Sequence, residues 1–349
     1  MSNFNPDILL LARGSRGKSQ ADIAKQMSWS QGKASKVEHG LIDVTEDEVR
    51  KLAQYLEYPA EIFSQHESAI GFGSCCLYHR KRATTAIRAI NQLHDEINIR
   101  RMQIARLLSG IELRNEINFP SFDIDEYGTP EECARMLRAA WQLPRGPIKN
   151  LIDVVEAAGG IVMFVDFPVR KIDAVSQKPI GLPPLFFLDR QKPVDRYRYS
   201  LAHEIGHVVM HETPTPDAER EADRFAAEFL MPADEIRHSL RGLTIDRAAN
   251  LKLRWRTAMQ AIIRRARDVG AISASKYQSL CVRISQLGYR KNEPNRLEPE
   301  MPRTLMAVVD EYLSNRQYTI SELSIAALST EERFRIDFLN ENPPLRIVK

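Results

Sequence analysis

The stretch "SLAHEIGHVVMH", residues 200–211, sets three histidines at four-residue steps, with a glutamate directly after the first. Side chains four apart on a helix share a face about one turn apart. His203 and His207 can therefore aim both imidazoles at one Zn²⁺. Glu204 is turned aside from the rings, so it misses the metal but reaches a water beside it and can take its proton. His211 stands eight residues past His203, ~12 Å along a continuous helix. That is too far to share the ion, so His211 reads as a helix-end residue that supports a ligand ring.

A catalytic zinc site needs a third protein ligand and an open position. Residues 215–232, "TPDAEREADRFAAEFLMP", read as the helix that supplies it, with Thr215 as N-cap and Pro216 at its first position. Ala218, Ala222, Phe225 and Phe229 form its inner stripe. Glu219 and Asp223 share the adjacent face. Glu219 is the expected third ligand, and Asp223 the expected partner of a ligand histidine's other nitrogen. Glu221 is the alternative third ligand.

Upstream, residues 130–142 and 147–158 read as two helices. "GGIVMFVDFP", "IDAVSQ" and "PPLFFLDR" read as three strands, rich in β-branched and aromatic residues. The histidine helix is entered through Pro193 and Asp195. Either "PPLFFLDR" or "IDAVSQ" could be an open edge that holds an extended peptide. No residue stands out as an oxyanion stabiliser; Tyr199 shares the His203 face but reads as core or rim.

"YSLAHEIGHVVMH" followed by "EREADRFAAEFLMP", with "KIDAVSQ" and "PPLFFLDR" ahead of them, resembles the ImmA/IrrE-type metallopeptidases over about residues 145–240. The resemblance implies a small zincin fold and a Zn²⁺ cofactor. It also implies endoproteolysis of a repressor-like DNA-binding protein, which derepresses mobile-element or stress genes.

The N-terminal part reads as a run of short helices. Ile8, Leu9, Leu11 and Ala12 face inward from the first. Ser19 caps the second, Ser30 the third, and Thr45 with Glu48 makes a capping box on the fourth. "PAEIFSQ" reads as a last helical turn. Charge is split: Arg13 to Lys36 holds six bases and one acid, whereas Glu38 to Glu61 holds seven acids and two bases. A basic face on the second and third helices is where a helix-turn-helix meets phosphates. "SQADIAKQM", "SQGKASKVEHG" and "LAQYLEYPAEIF" resemble phage-repressor-type (XRE family) DNA-binding domains over residues 8–63. The resemblance implies that Gln20 holds a phosphate, that Ser30, Gln31, Lys33, Ser35 and Lys36 lie on the DNA side, and that Arg13 and Glu38 pair. Gln31 is the best base reader, since glutamine bonds adenine through two contacts. Trp29 after Ser28, and Gly32 after Gln31, depart from the family pattern. A helical bundle that binds only protein is the alternative.

Residues 66–76 read as a linker, and the following segment as one or two helices that space the domains or pair two chains. Its Arg80, Lys81 and Arg82 could touch DNA or form a solvated face. Arg247 to Asp268 holds seven bases and one acid and looks weakly like a second helix-turn-helix. It could contact DNA, cover the peptidase, receive substrate, or carry plain packing and solvated charge. Residues 293–302, "EPNRLEPEMP", read as a proline-rich linker, followed by a helical segment and an extended tail, "NPPLRIVK".

Over 349 residues the net charge is only +3 and four cysteines occur, Cys75, Cys76, Cys133 and Cys281. Neither a disulfide framework nor a thiolate metal motif fits that spacing. No apolar run is long enough to span a bilayer, and the N-terminus lacks signal-peptide features, so a cytoplasmic protein is expected. The expected fold is multidomain, mainly α with an α+β part. It comprises a five-helix repressor-type domain (1–66), a helical connector (67–118), a small zincin-like domain with a short sheet (119–240), a helical region (241–292) and a C-terminal helical segment and tail (293–349). The expected function is a DNA-binding transcriptional regulator with a zinc endopeptidase domain, acting on double-stranded operator DNA as a homodimer and on a repressor-type protein. The alternative is a non-proteolytic regulator, or an antitoxin-like protein, whose zincin domain senses or binds.

Overall fold

The computed structural model describes residues 4–66, 87–113, 115, 117–213 and 215–341. The expectations for Cys75, Cys76, the Arg80–Arg82 cluster, most of the linker and the tail lie outside these residues.

Four helices and a 3₁₀ turn build the N-terminal bundle: α1 (Pro6–Ser15), α2 (Gln20–Gln26), α3 (Gln31–Glu38), α4 (Glu46–Leu56) and the turn Ala60–Ser64. Ser19 and Ser30 accept from backbone amides of their first turns, and Thr45 and Glu48 cap each other's amides. Ile8, Leu9, Ile23, Val37, Leu52 and Phe63 close the core.

The next helix, α5 (Ile87–Leu108), is not a spacer. Ile99 and Met102 plug the N-terminal core, and Ile90, Leu93, Ile97, Ile104 and Leu107 join a second core behind the sheet. A helix apolar on two sides is buried on two sides. Some of its charges are internal too: Arg100 is clamped between Glu96 and Asp337.

Helices α6 (Ile124–Tyr127), α7 (Pro130–Ala140) and α8 (Leu151–Ala157) lead to strands β1 (Ile161–Val165), β2 (Ala174–Gln177) and β3 (Leu185–Asp189). The sheet order is β1-β3-β2, with β1 parallel and β2 antiparallel to β3. β3 is therefore central and cannot be the open edge that "PPLFFLDR" suggested; both its neighbours already pair with it. Every strand residue is buried, because both faces are covered. Val162, Phe186 and Leu188 face one core, and Ile161, Met163, Leu185 and Phe187 face the other.

On the first face lie α9 (Val194–Met210) and α10 (Ala218–Leu230), followed by α11 (Ala233–Leu240), α12 (Ile245–Trp255), α13 (Met259–Asp268) and α14 (Ala274–Gln286). The core under α9 continues without a break through Leu243, Trp255, Ile262 and Ile284. Residues 241–286 thus complete the core that begins near residue 122. Two of their basic residues are structural: buried Lys252 pairs with buried Asp195 and half-buried Glu293, and buried Arg265 with buried Glu228. Helices α15 (Thr304–Ser314), α16 (Ile320–Ala326) and α17 (Glu331–Phe338) return to the back of the sheet and to α5.

Residues 293–302 are not a free linker either. Glu300 is buried and accepts from the Leu151 and Ile152 amides at the start of α8, and from Arg198. Glu293 does the same for the Met259 and Gln260 amides at the start of α13. Each carboxylate sits where helix amides and the helix dipole favour negative charge.

Candidate metal centre and helix-turn-helix surface

α9 starts after Pro193 and carries His203, Glu204 and His207 over buried Leu201, Ala202 and Ile205. Gly206 sets how near the next helix comes. A Cβ there would lie 3.0 Å from the Phe225 ring and 3.4 Å from the Ala222 Cα. The missing side chain lets α10 press against α9. The chain between the helices turns through Thr215, Pro216 and Asp217 before α10 begins at Ala218. Thr215 is thus not the N-cap that the sequence suggested: the Ala218 amide bonds the Thr215 carbonyl in a separate turn, and Asp217 holds the cap position.

The close approach brings three donors together. His203 Nε2 and His207 Nε2 are 3.0 Å apart, and the Glu219 carboxylate lies 3.7 Å from the first and 3.3 Å from the second. One ligand atom from each of the three residues falls within 4.8 Å of the others. Two imidazole nitrogens and a carboxylate facing one point form a donor set suited to a divalent ion such as Zn²⁺.

The outer nitrogens are also held. His203 Nδ1 lies 3.0 Å from Asp223 Oδ1. His207 Nδ1 lies 3.0 Å from His211 Nδ1, and His211 Nε2 lies 3.1 Å from Glu221 Oε2. With the His207 Nε2 lone pair inward, its Nδ1–H donates to His211, whose Nε2–H donates to Glu221. The helix ends at Met210, and the extended backbone of His211 lets its ring fold back beside His207. Glu221, turned from the ion, closes this chain; the sequence reading left it with no task beyond substitute ligand. Burial opposes protonation of His203, but Asp223, Glu204 and Glu219 outweigh it and raise the pKa above the ordinary imidazole value. For His211, burial and the neighbouring His207 prevail over Glu221 and lower it.

Glu204 is buried, and Ser176 Oγ donates to its Oε2 at 2.6 Å. Sequence reading missed Ser176. The available signal was a hydroxyl in a strand whose neighbours, Ala174, Val175 and Gln177, are all buried. Tyr199 donates its hydroxyl to the Asp223 carbonyl at 3.1 Å and so ties α9 to α10 at the rim.

Residues 155–267 match the family model of the IrrE N-terminal-like domain of the M78 peptidases, and residues 9–61 match that of a helix-turn-helix domain. The chain thus joins a helix-turn-helix match to an IrrE-like match, with further residues outside both. No curated protein matches it. The match of the IrrE-like domain extends beyond residue 240 to residue 267, as its core does. Among the described residues, no helix is long and apolar enough to cross a membrane.

In the helix-turn-helix domain, Arg13 and Glu38 pair at 2.6 Å. Gln20 donates to Glu38 and accepts from Gln31, each at 2.7 Å, which holds Gln31 at the exposed start of α3. Ser30 Oγ is taken up by the Lys33 amide. Lys33 is engaged within the domain: it lies 4.8 Å over the Trp29 ring and 2.5 Å from Glu48. Burial works against ionisation of Glu48, but Lys33, the Thr45 amide and the Trp29 indole bring its pKa down to about 2. Trp29, a departure from the family pattern, thus has a local task. Ser35 is half-buried, and Lys36 is exposed.

Proposed function

We propose that the chain is an operator-binding regulator whose IrrE-like domain is a zinc-dependent endopeptidase acting on a repressor-type protein. The observation that carries this reading is the convergence of His203 Nε2, His207 Nε2 and Glu219, with Glu204 held beside them by Ser176. His203, His207 and Glu219 would hold Zn²⁺. When bound, it supplies polarisation of a peptide carbonyl and a more acidic water. Glu204 would take a proton from the attacking water as its oxygen bonds the peptide carbonyl carbon, and would return it to the amine as the C–N bond breaks. Ser176 fixes the carboxylate that does this. Asp223, and His211 backed by Glu221, keep the two ligand rings in the tautomer that turns a lone pair inward. β2, the edge strand next to α9, is the strand placed to hold an extended substrate.

Metal analysis tests the centre directly. Wild type is expected to carry one zinc per chain. Glu219→Gln should lose most of it on dialysis against a weak chelator, while Glu221→Gln should retain it with about 10–100-fold weaker affinity. Equal zinc in wild type and Glu219→Gln would overturn the ligand assignment.

For DNA, the reading is a homodimer on paired half-sites, with α3 in the major groove. Lys36→Ala should weaken operator binding across sequences and reduce its salt dependence. Gln31→Ala should relax base preference, at a cost of about 1–3 kcal/mol. Lys33→Ala should change affinity least, because Glu48 already engages that ammonium. Mobility shifts on operator and scrambled DNA measure all three. A Lys33 effect larger than that of Lys36 would reverse the assignment.

A further inference from the structure

A groove of about 1310 Å³ opens between the β3–α9 turn, the first two turns of α9 and residues 289–301. It exceeds the roughly 300–1,000 Å³ of small-molecule sites and has room for an extended chain segment. Its charge is lopsided: eight cationic side chains line it against four carboxylates. All four carboxylates are engaged. Lys192 lies on Asp173 and Asp189, Arg196 also on Asp173, and Lys252 on Asp195 and Glu293. Arg190 is spent on the Phe164 carbonyl. Arg170, Arg290, Lys291 and Arg296 remain, exposed and without a side-chain partner among the described residues. Phe167, Tyr197, Tyr199 and Tyr289 supply aromatic surface between the charges.

The groove borders the elements that carry the candidate centre. Tyr199 and Ser200 line it, and each lies one helical turn before a residue of the site, His203 and Glu204. Asp173 also lines it, and the next residue opens β2. A polypeptide laid along β2, past Ser176 and Glu204, leaves the strand at this end and enters the groove. We infer that the groove binds an acidic segment of the polypeptide substrate, flanking the bond presented to Glu204. Guanidinium groups suit this task, since they fork onto carboxylates and keep their charge. The inference rests on the peptidase reading.

The test uses the full-length chain and fluorescein-labelled 16-residue peptides, one of alternating Glu and Ser, the other with Gln for Glu. Wild type should bind the Glu peptide more tightly than the Gln peptide, and added salt should weaken that binding. Arg170→Glu combined with Arg290→Glu and Arg296→Glu should lower the affinity about tenfold or more, with unchanged melting behaviour, as none of the three holds the fold. Glu204→Gln should bind as wild type does. Equal affinity for both peptides, or an unchanged triple variant, overturns the inference. So does a single-stranded oligonucleotide that displaces the peptide from wild type and loses its own binding in the triple variant. A wild type that binds the Glu peptide but cuts no protein overturns the peptidase reading and leaves the ligand class of the groove standing.

Discussion

Glu204→Gln is expected to keep its zinc and its operator affinity while cleaving a repressor-type protein about 10²–10⁴-fold more slowly than wild type. The amide has nearly the shape of the carboxylate and can still meet the Ser176 hydroxyl, so the change removes the base and spares the packing. Glu204 points to Ser176 and is not one of the three converging ligands, so metal content should not move. Ser176→Ala should act in the same direction with a smaller effect, since it frees the carboxylate without removing it. Gel and mass-spectrometric analysis of candidate repressors, alongside zinc analysis of each variant, would separate the possibilities. Loss of zinc in Glu204→Gln would mean that the glutamate is a ligand. Zinc-loaded wild type that is inert toward every repressor-type protein would favour a binding or sensing module.

The second large effect concerns stability. Glu300→Ala should destabilise the IrrE-like domain by about 3–5 kcal/mol. Arg198 is fully buried, and its guanidinium meets Glu300 on one side and the Ile148 carbonyl, at 2.7 Å, on the other. Removing the carboxylate strands that charge and also leaves the Leu151 and Ile152 amides without their acceptor. Arg198→Met combined with Glu300→Leu should recover part of the loss, because the fully buried charge is then gone and only the partly exposed Arg256 loses its carboxylate partner. Trp141 and Trp255 lie in this core and report its denaturation by fluorescence. A loss below about 1 kcal/mol in the single variant would show that the strap of residues 293–302 is loosely held, in the range of a surface pair.

Much of the local structure was legible in the sequence because its signals are short-range. Ser19, Ser30 and the Thr45–Glu48 box cap where their types say they should, and runs rich in β-branched and aromatic residues placed all three strands. The histidine spacing put His203 and His207 on one face for the same reason. What could not be read was long-range. Nothing near Glu300 in the chain says that its partner is Arg198, about a hundred residues earlier, so a strap looked like a linker. Lys252 and Arg265 look like solvated bases until buried acids from other elements are placed beside them. Ser176 and Glu221 gain meaning only when β2, α9 and α10 are stacked. The exact start of α10 was lost because Thr-Pro-Asp is as good an isolated turn as it is a cap.

The two-sided burial of α5 bears on how this molecule tolerates being cut. A truncation at residue 66 would not release a ready-made IrrE-like domain. It would unroof Ile99, Met102 and Leu328, leaving a sticky stripe in place of a clean surface. Carving the halves apart therefore calls for polar replacements along that stripe, and insolubility of an unpatched fragment says nothing about its chemistry.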